Sequence, residues 1–289
     1  MIRHTIAADG ISATVLAHGA ELCSWRGPDG RELMWQAGPA WPRHAPVLFP
    51  IVGRLRDDRL MHGGQDFRLT QHGFARDRNF TFAETAPTRC RLALRDDAAT
   101  RALFPFPFLL EITFCIADGA LDVAYRATNS GAATLPVSMG AHPAFRWPLA
   151  DGIAKTDHIL TFEADEVAPM PRVIGGLLGP AVHASPIRDR VLALDEALFA
   201  EDALILPEPA SRWVRYSAPG VAGIEMRWRG FSAFGIWMRQ GAEFLCLEPW
   251  SGMASPAEWD GVIEAKPGMT LLEPGACLEA GYSLRTVAA

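Results

Sequence analysis

Residues 120–127 read ALDVAYRA, and this stretch decides the predicted fold. The apolar residues Leu121, Val123 and Tyr125 alternate with the residues between them, which is the period of a strand with one face in the core. An apolar run at 108–116 precedes it, and Ala-Asp-Gly at 117–119 joins the two. Asp-Gly between two such runs predicts a tight hairpin, because glycine accepts a positive φ.

The same alternation recurs along the chain. It is clear at 223–229, and Pro-Asp-Gly at 28–30 predicts a further hairpin between strands at 21–26 and 31–35. Shorter strands are expected near 11–16, 66–70, 78–84, 90–94, 134–139, 158–163, 202–206, 211–217, 233–239, 244–248 and 277–286. Helical patterns are few, at 98–103 and in parts of 188–200. This pattern predicts an all-β fold, a large antiparallel β-sandwich with few short helices.

Length and composition predict one domain. The chain has 289 residues, of which 49% are hydrophobic and 21% charged, so a large core is possible and global disorder is excluded. Neither an internal repeat nor a low-complexity linker divides it. We therefore expect a single domain over residues 1–289, with 148–184 as a loop-like insertion or edge segment.

Charge and cysteine usage limit the partners and the compartment. Lysine and arginine number 27 against 33 acidic residues, a net charge of −6, which argues against nucleic acid or a membrane surface as partner. No apolar run is long enough to span a bilayer, and the N-terminus lacks the apolar segment of a secretory signal. Five scattered cysteines predict buried free thiols in a reducing compartment, so we expect a cytoplasmic protein: Cys23, Cys90, Cys115, Cys246 and Cys277.

Familiar catalytic motifs are missing from the sequence. It contains no GxxxxGK[ST], no GxGxxG after a strand, no HExxH and no GxSxG. The histidines are not spaced at i, i+2 or i, i+4, so no metal site is expected. No cofactor is expected either.

Four polar residues stand where the pattern predicts strand ends opening into a cleft. They are His72 in QHGFAR, His142 in GAHPAF, Glu248 in FLCLEPW and Arg54 after PIVG. Glu248 is the most informative, because a buried carboxylate is costly unless it is paired or hydrogen-bonded. Taken singly, each also fits a structural role, as a core histidine or one member of an ion pair.

Together these segments resemble the aldose 1-epimerase (mutarotase) family, in its shorter bacterial branch. The resembling segments follow the family's order over most of the chain: FPIVGRL at 49–55, QHGFAR at 71–76, GAHPAF at 140–145, DALIL at 202–206 and CLEPW at 246–250. One departure is Ala-His-Pro at 141–143, where the long branch of the family has Asn-His before an aromatic residue.

The resemblance implies a galactose mutarotase-like β-sandwich whose cleft interconverts the α and β anomers of a free aldose. It makes Glu248 the general base and His142 the general acid, with His72 as a second histidine near the ring oxygen. It also implies that Arg54 binds sugar and that Asp202 binds a sugar hydroxyl group.

The implied reaction suits these residue types. A carboxylate removes the C1 hydroxyl proton, an imidazolium protonates the ring oxygen, and the hemiacetal opens. We expect Glu248 ionised and His142 protonated, because each charge favours the other. Trp250, two residues from Glu248, is expected to stack under the apolar face of the sugar.

Three other functions are left open. A hexose-6-phosphate 1-epimerase needs arginines for the phosphate, and candidates are Arg43, Arg54, Arg56, Arg76 and Arg78. A non-catalytic carbohydrate-binding protein of the same fold needs no acid and base. A glycoside hydrolase usually needs two carboxylates. The sequence does not identify the sugar, and it fits a monomer and a homodimer equally.

Overall fold

The computed structural model describes residues 2–288, which form antiparallel strands joined mostly by short turns. The strands are β1 (Arg3–Ala8), β2 (Ile11–Leu16), β3 (Leu22–Arg26), β4 (Val47–Leu48), β5 (Arg59–His62), β6 (Gln65–Arg68), β7 (Thr81–Thr85), β8 (Arg89–Arg95), β9 (Phe108–Ala117), β10 (Ala120–Asn129), β11 (Leu135–Val137), β12 (Met139–Ala141), β13 (Ala144–Arg146), β14 (Ile159–Phe162), β15 (Met170–Ile174), β16 (Leu177–His183), β17 (Val191–Ala193), β18 (Leu204–Leu206), β19 (Trp213–Ala218), β20 (Val221–Arg229), β21 (Ala233–Trp237), β22 (Phe244–Ser251), β23 (Thr270–Leu272) and β24 (Cys277–Val287).

A nine-stranded antiparallel sheet contains the stretch that decides the fold. Its strand order is β17-β14-β19-β20-β24-β10-β9-β8-β7. Strands β9 and β10 form the hairpin predicted from Asp-Gly, with Ala117 opposite Ala120. Leu121, Val123 and Tyr125 are buried while the residues between them are less so, which confirms the alternation.

A second sheet of six strands lies across the core from the first. Its order is β18-β21-β22-β12-β4, with β13 also paired to β22. Leu121 and Val123 of the first sheet share one buried apolar cluster with Leu245 and Leu247 of the second. The expected all-β antiparallel sandwich is confirmed, and β22 lies in the middle of its smaller sheet.

The one α-helix of the described chain, α1, spans Ala98–Arg101. Its start agrees with the prediction, because the Asp97 carboxylate accepts from the Thr100 backbone N–H at 2.7 Å and forms a capping box. Between residues 2 and 288, no helix has the length and apolar character needed to cross a membrane. Single 3₁₀ turns occupy Arg56–Asp58, Ala75–Asp77, Lys155–Asp157, Glu196–Phe199 and Ile263–Ala265.

Two local predictions were wrong and a third was met in part. Residues 31–35 make only isolated bridges, such as Met34 with Phe145, in place of a strand. Of the stretch 188–200, Glu196–Phe199 is helical as a 3₁₀ turn, while Val191–Ala193 forms β17. Within the expected loop at 148–184, β15 and β16 pair as a hairpin, because Gly175 and Gly176 both adopt positive φ and make a two-residue turn.

Candidate functional site

Strand β22 positions Glu248 at the centre of the six-stranded sheet. All eight of its residues are buried. Alternate side chains on a strand point to opposite faces, so Leu245 and Leu247 enter the main core while Cys246, Glu248 and Trp250 face the other way. Glu248 is only 1% exposed and therefore needs a polar partner.

His142 is that partner, and strand pairing explains why. Gly140 of β12 pairs with Trp250, and Ala144 of β13 pairs with Cys246. His142 lies in the break between these two short strands, across from Glu248. Its Nε2 is 3.2 Å from Oε2 of Glu248. The two residues, 106 positions apart in sequence, are thus cross-strand neighbours.

Trp250 lies over two glycines on the strands that flank β22. A Cβ atom at Gly235 would come within 2.4 Å of the Trp250 ring, and one at Gly140 within 2.7 Å. Real Cβ contacts are never this short, so only glycine leaves room for the indole at both positions. The indole consequently lies flat beside Glu248 in the same surface.

His72 comes from a tight turn outside the sheet. Its φ is +64°, and its backbone N–H donates to the Gly53 carbonyl at 2.8 Å. The Gly53 N–H donates in return to Nδ1 of His72 at 3.1 Å. Burial lowers the pKa of His72 well below its usual range, with His142 adding to the effect. The neutral ring therefore has its proton on Nε2 and is a fixed hydrogen-bond donor.

These groups surround one cavity of about 310 Å³. Its lining includes five of the six residues proposed from sequence, namely His72, His142, Asp202, Glu248 and Trp250. Asp202 reaches it from the turn before β18, at a φ of +72°. The lining also contains Trp41, Gln71, Arg76, Val173 and Trp237.

Arg54, the sixth proposed residue, does not line this cavity. Its Nε and Nη2 donate to the two carboxylate oxygens of Asp58, at 2.8 and 3.2 Å. Its Nη1 lies 3.5 Å from the Gly175 carbonyl at the tip of the β15–β16 hairpin. The guanidinium thus ties the hairpin to the 53–58 segment at the cavity rim.

Arg76 is the arginine that does line the cavity. Its Nη2 donates to the Gln71 carbonyl at 2.7 Å, while the buried Nε has no hydrogen-bond partner among the described residues. Burial lowers the pKa of Arg76 to about 10, and Arg43 contributes. The sequence predicted Arg76 only as one of five candidate phosphate-binding arginines and gave Gln71 no role; their place in the same turn as His72 was the available signal.

Burial acts against the charge state expected for the central pair. It raises the pKa of Glu248 well above its usual range, and the charge of Asp202 adds to this. Burial lowers the pKa of His142 to about 3. Burial thus opposes the ion pair and favours a protonated Glu248 beside a neutral His142, and the pair holds one proton in either form.

Three donor types near this pair invite comparison with a metal site. One atom each of His142, Cys246 and Glu248 lie within 4.8 Å of one another. Imidazole, thiolate and carboxylate are zinc ligands. Burial raises the pKa of the Cys246 thiol well above its usual range, with Glu248 contributing, so the thiol form is favoured in the absence of a metal ion.

The family of this chain follows from comparison with known proteins. The family model described as "Aldose 1-epimerase" matches residues 3–196. The chain belongs to the aldose 1-epimerase family. It is also 30% identical over 273 residues to the chromosomal protein LacX of Lactococcus lactis subsp. lactis, covering 89% of this chain and 90% of LacX.

Solved structures show the same relationship. The galactose mutarotase related enzyme from Lactobacillus acidophilus is 30% identical, with a TM-score of 0.93 over 99% of this chain and 98% of that one. A galactose mutarotase-like protein from Lactobacillus casei is 28% identical, with a TM-score of 0.92 over 99% and 100%. These similarities support an epimerase, an isomerase acting on carbohydrates.

Gly53 should be the most substitution-sensitive glycine at the cavity. Its φ is +74°, and a Cβ would lie 2.4 Å from the Ala254 backbone, whereas Gly30 has a φ of +75° with open space. Gly53→Ala should lower the free energy of unfolding by about 3 kcal/mol, since overpacking adds to the left-handed strain. Gly30→Ala should cost only about 1 kcal/mol. Urea unfolding measures both, and equal losses would contradict the close packing at Gly53.

Proposed function

We propose that this protein is an aldose 1-epimerase that interconverts the α and β anomers of a free hexose. The observation that carries the proposal is the contact between Glu248 and His142 in the wall of a cavity. A buried carboxyl group and an imidazole within 3.2 Å of each other can exchange a proton and act on one substrate.

The cavity suits a single monosaccharide. Its volume of about 310 Å³ is at the lower end of the range of about 300–1,000 Å³ for small-molecule sites. Trp250 offers an apolar surface to the C–H face of the ring, while Asp202 and Gln71 offer polar groups to its hydroxyls. His72 presents its Nε2–H to the ring oxygen.

Proton transfer inside the pair prepares the reaction. Glu248 acts as base only when ionised, so the shared proton must first move to His142. The distance of 3.2 Å between Nε2 and Oε2 brings the two atoms within reach of such a transfer. The resulting carboxylate and imidazolium are the base and the acid of the chemical step.

Ring opening then breaks one bond and moves two protons. Glu248 takes the proton of the C1 hydroxyl, the C1–O5 bond breaks as C1=O1 forms, and His142 protonates O5. Rotation about C1–C2 presents the other carbonyl face, and the reverse steps close the ring as the opposite anomer. The site ends with the same single proton, so no oxidant or reductant is needed.

A hexose 6-phosphate is the second candidate substrate, because Arg76 places a guanidinium in the cavity wall. Of the five arginines considered from sequence, Arg76 is the one in the cavity lining. Arg43 is 3.0 Å from Asp77, and Arg78 lies over the Phe74 ring. A phosphate dianion usually receives several charge-assisted contacts. A single arginine with one free edge therefore favours a sugar without a phosphate group.

Two further alternatives fit the geometry less well. A sugar-binding protein without activity has no use for a costly buried carboxyl–imidazole pair. A glycoside hydrolase needs a second carboxylate across the bond, and the second carboxylate of the cavity lining, Asp202, lies in an exposed turn. We further propose a cytoplasmic monomer or homodimer that acts on small sugars, with neither nucleic acid nor membrane as partner.

Removing either member of the pair should abolish most of the activity. Glu248→Gln and His142→Gln preserve side-chain size and should each slow mutarotation by about 10²–10⁴-fold, because each removes one proton-transfer group. The double variant should be little slower than either single variant, since the two act as a unit. Polarimetry of freshly dissolved α-glucose and α-galactose measures the rates, with circular dichroism as a fold control. Near-normal rates for Glu248→Gln would refute this mechanism.

The alkaline limit of activity should depend on Asp202. Its charge raises the pKa of Glu248, which holds the shared proton, so activity should fall once pH passes that pKa. Asp202→Asn removes the charge, lowers the pKa of Glu248 and should move the alkaline limb of kcat/KM to lower pH. Glu201→Gln neutralises the adjacent exposed carboxylate and should leave the limb in place. If the alkaline limb of kcat/KM stayed in place in Asp202→Asn, the pKa of Glu248 would not be what sets it.

Rates on phosphorylated and free sugar should distinguish the two substrates. We expect glucose and glucose 6-phosphate to react within about tenfold of each other, because one partly engaged arginine gives limited phosphate selectivity. A gain of about a hundredfold with phosphate, lost in Arg76→Gln but kept in Arg78→Gln, would establish the phosphorylated substrate instead.

A further inference from the structure

Trp41 differs from the other aromatic residues of the cavity in how its ring meets the imidazole of His142. Its ring stacks on His142, with centroids 5.1 Å apart and planes at 29°. By contrast, Trp237 meets His142 edge-on at 84°, and His72 does so at 88°. An indole face against an imidazole face is the geometry that attracts a cation.

The loop that bears Trp41 is firmly anchored although it contains no helix or strand. Nε1 of Trp35 donates to the Trp41 carbonyl at 2.8 Å, and Arg239 donates to the Ala40 carbonyl at 2.9 Å. The Trp41 ring also stacks on Phe244 of β22, with centroids 5.2 Å apart. Contacts with β22 and hydrogen bonds to its own loop therefore both hold Trp41 against His142.

The charged groups around His142 mostly oppose its protonation. Arg76 and Arg43 are both near enough to disfavour the imidazolium, and His72 is a neutral neighbour. Glu248 favours the imidazolium once it has given up its proton. Among the described neighbours, Trp41 is the uncharged residue whose ring stacks face to face on the imidazole.

We propose that Trp41 is a positioning residue that orients His142 and stabilises its protonated form during the proton transfer from Glu248. This proposal rests on the proposed epimerase function. In this proposal Trp41 acts on the general acid, His142, rather than by binding the sugar. The stack raises the fraction of pairs in the reactive carboxylate–imidazolium form, so its loss lowers kcat and leaves substrate affinity almost unchanged.

Three side chains at position 41 test the proposal kinetically. Trp41→Phe keeps an aromatic face and should retain kcat within about threefold, whereas Trp41→Leu is apolar without that face and should lose about tenfold or more, with KM within about twofold. Fluorinated phenylalanines at position 41 keep the shape and weaken the π face, so kcat should fall stepwise with each fluorine. A rise in KM at constant kcat, equal damage by Phe and Leu, or no response to fluorination would each overturn it.

A spectroscopic measurement tests the stack without any substrate. The Cε1–H proton resonance of His142, assigned by its loss in His142→Gln, should be shifted upfield by the indole ring current. The shift should persist in Trp41→Phe and disappear in Trp41→Leu; an unshifted resonance in the native protein would overturn the stack. Absence of mutarotation on every aldose would refute the proposed function, and the ring-current shift would still report on the contact.

Discussion

The side-by-side burial of Glu248 and His142 is the constraint on which the rest of the site depends. Each polar group is costly to bury alone, and the two meet at 3.2 Å. The register of β22 with β12 and β13 places residue 142 opposite Glu248, in the gap between these two short strands. Pro143 lies in this gap, and its carbonyl still accepts from the Leu247 N–H at 3.2 Å. The sheet therefore keeps its continuity while releasing one histidine.

Burial shifts the pKa values of the pair as well as adding a free-energy cost to folding. In water, a glutamate and a histidine at neutral pH would be mostly ionised and partly protonated, respectively. In this cavity, burial disfavours both charged forms, which favours a proton on Glu248 over one on His142. Opposite pKa displacements of two adjacent groups are typical of acid–base sites. In the proposed mechanism, the reactive carboxylate–imidazolium pair is then the less populated form. The neighbouring groups set its population.

Sequence reasoning could predict the sheet and the chemistry-bearing residues but not their electrostatics. Alternation at 120–127 was sufficient for β10, and Glu248 stood out as a carboxylate inside an apolar strand. The charge state of Glu248 depends on depth of burial, which no local pattern encodes. The role of Arg54 came from the family resemblance, and its salt bridge to Asp58 lies in an irregular segment where local sequence does not reveal which partner an arginine takes. The β15–β16 hairpin was missed although Gly-Gly between Ile174 and Leu177 is a two-residue turn signal.

The site divides into a part fixed by the sheet and a part supplied by turns. Glu248 and Trp250 lie on β22, whose hydrogen bonds and two packed faces hold them rigidly. Asp202 and the tip of the β15–β16 hairpin reach the cavity from connections, where sequence can change without disturbing the core. In the proposed mechanism, proton transfer tolerates little misplacement, so it suits groups held by the sheet. The hydroxyl contacts proposed for Asp202 come from a turn, where a change of residue disturbs the core less.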